Sequence, residues 1–164
     1  MPNVTEKKIN KLIEEFNKKN FLLVEDETDE LLKDDKKNLI LLTLNASACA
    51  NLNKYQKAEK VFQIGLNNHP KSQDLNNNYL NLLIKRNDFE KAIEIAEKAV
   101  NAGVTNSNIL NGLGLAYSNL NEIDNAIEYL KKSLRLDSSN INASYNLANC
   151  FRAKKCGRRF FMDK

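Results

Sequence analysis

Asparagine is the residue whose repetition offers chemistry in this chain. It accounts for 26 of the 164 residues. Many of these fall one, three or four positions apart in three separate stretches. The first contains Asp74, Asn77, Asn78, Asn81 and Lys85; the second Asn108, Asn111, Leu115 and Asn119; the third Asn142, Tyr145, Asn146, Asn149 and Arg152. At helical spacing each set shares one face. An amide side chain both donates and accepts hydrogen bonds without carrying charge. A column of amides therefore suits the backbone of an extended peptide, whose N–H and C=O groups need partners once water leaves. Composition is the competing explanation, because Lys and Ile are also abundant and a low-GC genome would favour all three residues.

Residues that drive catalysis are scarce. The single histidine, His69, precedes Pro70 and reads as a solvated loop residue. No glycine-rich phosphate loop, G-x-S-x-G or H-E-x-x-H occurs. Cys49, Cys150 and Cys156 are too few and too unevenly spaced for a disulfide framework or a zinc site. Cys49 falls at a core position and is expected to be a buried, inert thiol. The acidic run Glu25-Asp-Glu-Thr-Asp-Glu30 lacks the Gly and closing Glu of a calcium loop, so it reads as a solvated helix face. The expectation is a non-catalytic protein with no cofactor, no metal and no small-molecule substrate.

The elements that position the asparagines are set by a repeat. Asn53-Lys-Tyr-Gln-Lys-Ala58 returns as Asn87-Asp-Phe-Glu-Lys-Ala92 and again as Asn121-Glu-Ile-Asp-Asn-Ala126, at equal intervals and with no gap needed to align the copies. A fixed period of about 34 residues marks a supersecondary unit stacked on copies of itself. Helical periodicity divides each unit into a first (A) and a second (B) helix. The expected units are 39–72, 73–106 and 107–140, with 141–155 the first helix of a further unit and 156–164 a basic tail. Residues 1–38 read as a degenerate capping pair: one period before Ala58 and Phe62 stand Val24 and Thr28. Small residues at Ala46, Gly114 and Ala148 in the A helices, and at Ala58, Ala92 and Ala126 in the B helices, would let paired helices approach closely. Phe62, Leu83, Tyr117 and Leu130 would fill the adjacent holes. The Asn between the helices tolerates a tight turn, and Gly103 would close its helix in a left-handed conformation.

With these residues in place the chain resembles the tetratricopeptide repeat family. The likeness is carried best by Leu110, Leu113-Gly114, Tyr117, Ala126, Leu130 and Ser133, and it covers residues 39–151 well and 5–38 weakly. The chain has no Trp, only Pro70 occupies the closing-proline place, and Leu80 stands where the family has a small residue. The resemblance implies an all-α fold, a right-handed α–α superhelix (solenoid) of tetratricopeptide-like helix pairs. It also implies a concave groove lined by the A helices, with the asparagines named above facing it. Such a column is similar to the asparagine ladder of O-linked N-acetylglucosamine transferases. The charged clamp of chaperone-binding members does not match, since Thr43 and Ser47 hold the first unit's groove places. The implied function is a protein-interaction module that holds a protein or peptide partner. The alternative is the N-terminal arm of a larger glycosyl- or sulfotransferase.

Charge narrows the partners further. The formal net charge is +4, yet the residues from Arg152 onward carry +5 and the first 151 sum to −1. A nearly neutral repeat body disfavours nucleic acid, which needs an extended basic face. The N-terminus lacks the apolar region of a secretory signal, and no run approaches the ~18 apolar residues of a membrane span. A cytoplasmic location is expected. The helix beginning at Ile141 would expose Tyr145, Leu147 or Phe151 unless Phe160-Phe161 folds back or another chain covers it, so self-association through an uncapped C-terminal helix is a further expectation.

Overall fold

The computed structural model describes residues 4–162, with side chains over residues 6–155. Among the described residues every regular element is an α-helix: α1 (Val4–Asn17), α2 (Phe21–Asp34), α3 (Leu39–Asn51), α4 (Tyr55–Asn68), α5 (Gln73–Lys85), α6 (Phe89–Asn101), α7 (Ser107–Asn119), α8 (Ile123–Leu136) and α9 (Ile141–Met162). Asparagine starts several of them. The Asn38 carboxamide oxygen accepts from the Ile40 and Leu41 N–H groups, Asn106 from Ile109 and Asn140 from Ala143, each satisfying donors that a helix start leaves free.

Asparagine also makes the corners. Lys19, Asn53, Asn87 and Asn121 have φ of 64°, 59°, 57° and 63°, so the left-handed residue recurs once per period. At each corner the next residue's N–H reaches five positions back: Asn20 to Glu15, Lys54 to Cys49, Asp88 to Leu83 and Glu122 to Tyr117. These bonds satisfy the last carbonyls of the A helix while the chain reverses. Asn tolerates the left-handed region better than other residues with a Cβ. Gly103, at φ 85°, ends α6 in the same way.

Two compact units divide the chain, Met1–Tyr79 and Leu80–Lys164. In the first, Ile9, Leu12, Val24, Leu41, Leu44 and Ala48 form one buried cluster. Phe62 stacks on Tyr79 at 5.2 Å between ring centroids, and Leu75 packs so closely on Gly65 that a Cβ there would lie 2.8 Å from a Leu75 methyl. Val24, Ala58 and Thr28, at the expected contact positions, are fully buried.

Thr28 belongs to a polar network that the sequence does not announce. The acidic run read as a solvated face holds instead a buried carboxylate, Glu25, only 2% exposed. Glu25 accepts from Lys54 Nζ at 2.5 Å and from Lys57 Nζ at 2.8 Å, and Lys57 also donates to Asp29 at 2.5 Å. Buried Asn45 donates through Nδ2 to Thr28 Oγ1 and to Asp29 Oδ1, both at 2.8 Å. Asp26 and Glu30 face solvent. The expectation failed because α2 turns one side of the run onto α3 and α4, and two lysines neutralise what is buried there.

In the second unit Ala92, Ala96 and Ala99 bury one stripe of α6, and Ala126 and Leu130 the corresponding stripe of α8. Gly114 shows why the contact position is small: a Cβ there would lie 2.4 Å from Leu130 Cγ and 3.1 Å from the Ala126 carbonyl oxygen. Leu80, the family exception, fills its place from the other side, since a Cβ on Gly112 would meet Leu80 Cδ2 at 2.5 Å. The absence of a side chain at Gly112 leaves the room that Leu80 occupies. Ala148 departs from expectation. It is exposed, because α9 continues as helix through residue 155 to Met162 in place of turning back into a partner that would cover it.

Candidate peptide-binding face

The candidate residues lie on three helices. On α5, within the first unit, Asp74 is exposed while Asn77 and Asn78 are half-buried. Asn78 Nδ2 donates to Ser47 Oγ on α3 at 3.2 Å. The Asn77 carboxamide oxygen is shielded from water and has no hydrogen-bond donor, an uncompensated acceptor of the kind proteins rarely keep. Farther along α5, Asn81 and Lys85 are exposed.

In the second unit α7 presents Asn108 exposed and Asn111 and Leu115 half-buried, and α9 presents Asn142 and Tyr145 exposed and Asn146 and Asn149 half-buried. Asn146 Nδ2 donates to Asn111 Oδ1 at 2.9 Å, joining the two helices through their amides. The bond fixes both side chains and leaves each amide with unused hydrogen-bonding capacity, one N–H and two lone pairs on Asn146 and two N–H and one lone pair on Asn111. Asn119 donates back to the Leu115 carbonyl at 2.9 Å, and Arg152 donates to Asn149 at 2.5 Å. Uncharged, partly fixed amides on adjacent helices can pair with a peptide backbone in either sense, N–H or C=O.

The thiol, imidazole and phenol groups are each held within their own unit. The burial of Cys49 pushes its thiol up to about 11, and a thiol so disposed is a poor nucleophile. His69 is half-buried rather than a free loop residue: its Nε2 lies 2.5 Å from the Lys37 carbonyl and can donate to it, tying the α4–α5 loop to the α2–α3 loop. Tyr117 is held protonated, first by burial and then by donating to Glu97 at 2.8 Å, both of which raise its pKa. Among the described residues no group of three or more His, Cys, Asp and Glu side chains could hold a metal ion, and no helix is long and apolar enough to cross a membrane. A pocket of about 150 Å³ lined by Glu97, Val100, Asn101, Leu113 and Tyr129 is below the ~300–1,000 Å³ of ordinary ligand pockets. The arginines, lysines and phenylalanines of residues 156–164, including Phe160-Phe161, lie outside the residues whose side chains are described.

Sequence reasoning missed Asn45 and Glu25 as structural centres. The signal for Asn45 was present: it stands beside Leu42, Ala46 and Cys49 on the buried side of α3, where an amide must find partners. Its partners, on the preceding helix α2, were not legible.

Helix pairs of near-equal length, turned at a left-handed corner once per period and packed through small contact residues, define an all-α solenoid of repeated helix pairs. Two tetratricopeptide repeat family models match the chain, one over residues 44–107 and one over residues 107–140. The chain belongs to the tetratricopeptide repeat family. Solved structures agree on the fold. A MamA fragment from Desulfovibrio magneticus RS-1 is similar at 23% identity with a TM-score of 0.77, covering 94% of this chain and 89% of that one. PilF of Pseudomonas aeruginosa is similar at 18% identity with a TM-score of 0.80, covering 90% and 67%. YrrB, described as a TPR protein with an unusual peptide-binding site, is similar at 18% identity with a TM-score of 0.66, covering 77% and 66%. No curated protein sequence matches the chain.

Proposed function

We propose that this protein is a non-catalytic interaction module whose amide-rich helix faces hold an extended segment of a partner protein. The observation that carries the reading is the Asn111–Asn146 pair. Its half-buried amides are fixed on adjacent helices, with exposed Asn108 and Asn142 beside them. Amides held in place lose little freedom when a peptide binds, which lowers the ordering cost of the complex. The candidate face on α5, with Asp74, Asn77, Asn78, Asn81 and Lys85, offers similar groups. YrrB's peptide-binding site adds a precedent within the same fold. The transferase-arm alternative draws no support from the matched families or from the relatives named above. The free, buried thiols of Cys49 and Cys150 suit a reducing compartment such as the cytoplasm.

The test is selection of peptides from a random library on the whole chain. Selected peptides should lose at least about tenfold in affinity on the Asn108→Ala/Asn111→Ala/Asn146→Ala variant, with helicity unchanged. Binding to uncharged amides should also change less than about twofold between ~0.05 and ~0.5 M salt. Undiminished binding by the triple variant removes this reading. Self-association is a separate matter, tested by sedimentation across a concentration series: exposed Ile141, Tyr145 and Phe151 make a second copy one candidate occupant of α9.

A further inference from the structure

Glu97 of α6 is a half-buried carboxylate to which the fold supplies no cation. Other acids of the second unit have one: Glu94 pairs with Lys98, Glu128 with Lys132 and Asp124 with Lys154. Glu97 receives only the neutral Tyr117 hydroxyl, at 2.8 Å on Oε1, and among the described residues no lysine or arginine bonds to it. A carboxylate drawn partly out of water ordinarily has a cation or several donors to offset its lost hydration.

The carboxylate borders the cavity of about 150 Å³ between α6, α7 and α8, together with Val100, Asn101, Leu113 and Tyr129. That volume is too small for a nucleotide or a sugar, but a cavity of this size holds a molecule of about six heavy atoms. Val100 and Leu113 make its apolar wall. Glu97 Oε2, Tyr129 Oη and Asn101 Oδ1 bring three acceptors to its edge, none of them taken by a donor among the described residues. The Tyr129 ring is held in place, stacked on Tyr117 at 5.5 Å with 5° between the ring planes. Lys132 stands over the same ring at 5.0 Å, with its charge taken up by Glu128 at 2.6 Å.

We infer that this cavity seats a primary alkylammonium, the end of a lysine side chain carried by a partner protein, with its N–H groups on Glu97, Tyr129 and Asn101 and its methylenes on Val100 and Leu113. An ammonium has three donors and no acceptor, which matches three acceptors brought in from two helices. Four methylenes and a nitrogen fill the space, and a lysine stem buries readily along apolar surface while its head stays polar. A guanidinium fork prefers both oxygens of one carboxylate side by side, and Tyr117 already takes one of the two on Glu97. A divalent cation needs more oxygen ligands than a single carboxylate and its neighbours offer. One cation in so small a seat binds weakly alone, so its use is as one anchor of a larger partner surface. Leu113 follows Asn111 by two residues, which puts the cavity on the far side of α7 from the amide face. The inference therefore does not rest on that face and goes beyond it.

The probe is n-butylamine, an ammonium at about pH 7, titrated into the isotope-labelled whole chain and followed by NMR. Signals of the Val100 and Leu113 methyls and the Asn101 side chain should shift and saturate in the millimolar range. Glu97→Gln keeps an acceptor for Tyr117 and removes the charge, so it should leave the melting curve unchanged and weaken binding at least about tenfold. Tyr129→Phe keeps the ring stack, loses one acceptor and should weaken binding several-fold. n-Butanol, of the same size without charge, should shift nothing. An acetyl-Gly-Lys-Gly-amide peptide should move the same signals at least as tightly as butylamine, and pentane-1,5-diamine should bind no tighter than the peptide. The Asn108→Ala/Asn111→Ala/Asn146→Ala variant should bind butylamine as well as the unsubstituted chain does, so loss of the amide-face reading leaves this one standing. No saturable shift up to ~100 mM butylamine, or equal binding by Glu97→Gln, would overturn the proposal. So would tighter binding of propylguanidine than of butylamine, or a diamine that binds at least about tenfold better than the peptide, since the occupant would then be an arginine or a free amine.

Discussion

Glu25 is the side chain whose environment says most about how this protein meets acid. Burial alone pushes its carboxyl pKa up, but hydrogen bonds from Lys54 and Lys57 outweigh that and hold it below the ordinary 4.5. Burial of Lys57 is likewise outweighed by its bonds to Asp29 and Glu25, which raise its pKa. A carboxylate depressed in the fold stabilises it above its unfolded pKa, and that stability is lost as pH falls through the folded value. Urea denaturation in a pH series should therefore show stability falling below about pH 4.5, with a shallower fall for Glu25→Gln. At pH 7 the same substitution should cost about 1–2 kcal/mol. That range is kept small because Lys54 and Lys57 are 47% and 38% exposed and their attraction is screened. Equal acid slopes for the two proteins would place the acid sensitivity elsewhere.

Among the elements, the corners are the most legible part of the molecule. A single residue type recurring at a fixed interval was enough to locate three of the four, because Asn owes its place there to its own backbone tolerance and not to distant neighbours, whereas Lys19 at the first corner gave no such signal. Asn87→Gly should leave stability within about 0.5 kcal/mol, whereas Asn87→Ala should cost about 1 kcal/mol, since φ of 57° strains any Cβ without a compensating side-chain bond. Thermal melts of the two variants check the difference. Helix α2 was legible as a helix and not as to which side was wet. Its acidic run supplies no apolar stripe, and the side is set by Lys54 at the start of α4 and Lys57 within it. The continuation of α9 was hidden for a related reason. Loss of the repeat after Lys155 signals loss of the pairing pattern, while helical hydrogen bonds are local and need no partner to persist. The Asn111–Asn146 bond joins positions that are not equivalent in the repeat, so only the packing of α7 on α9 reveals it.

For the whole chain, stability should be local. Repeats exchange energy mainly with their neighbours, and among the residues whose side chains are described each compact unit has one buried thiol, Cys49 in the first and Cys150 in the second. Gly114→Ala forces a Cβ against Leu130 and the Ala126 carbonyl and should cost about 1–3 kcal/mol. With Cys156 replaced by Ser, the rate of Cys150 alkylation should then rise about tenfold or more, since ~1.4 kcal/mol of lost protection is a tenfold gain in open population. Cys49 alkylation should change less. Equal acceleration at both thiols would show a chain that opens in one cooperative step. The left-handed asparagines carry a consequence for ancestry as well. Each module turns from its first helix to its second through one dihedral exception, so duplicating a single coding cassette brings its own hinge and asks nothing new of the flanking copies. An array built this way can lengthen by copying alone, and its sequences are then free to drift everywhere except at that one posture and the small contacts that face it.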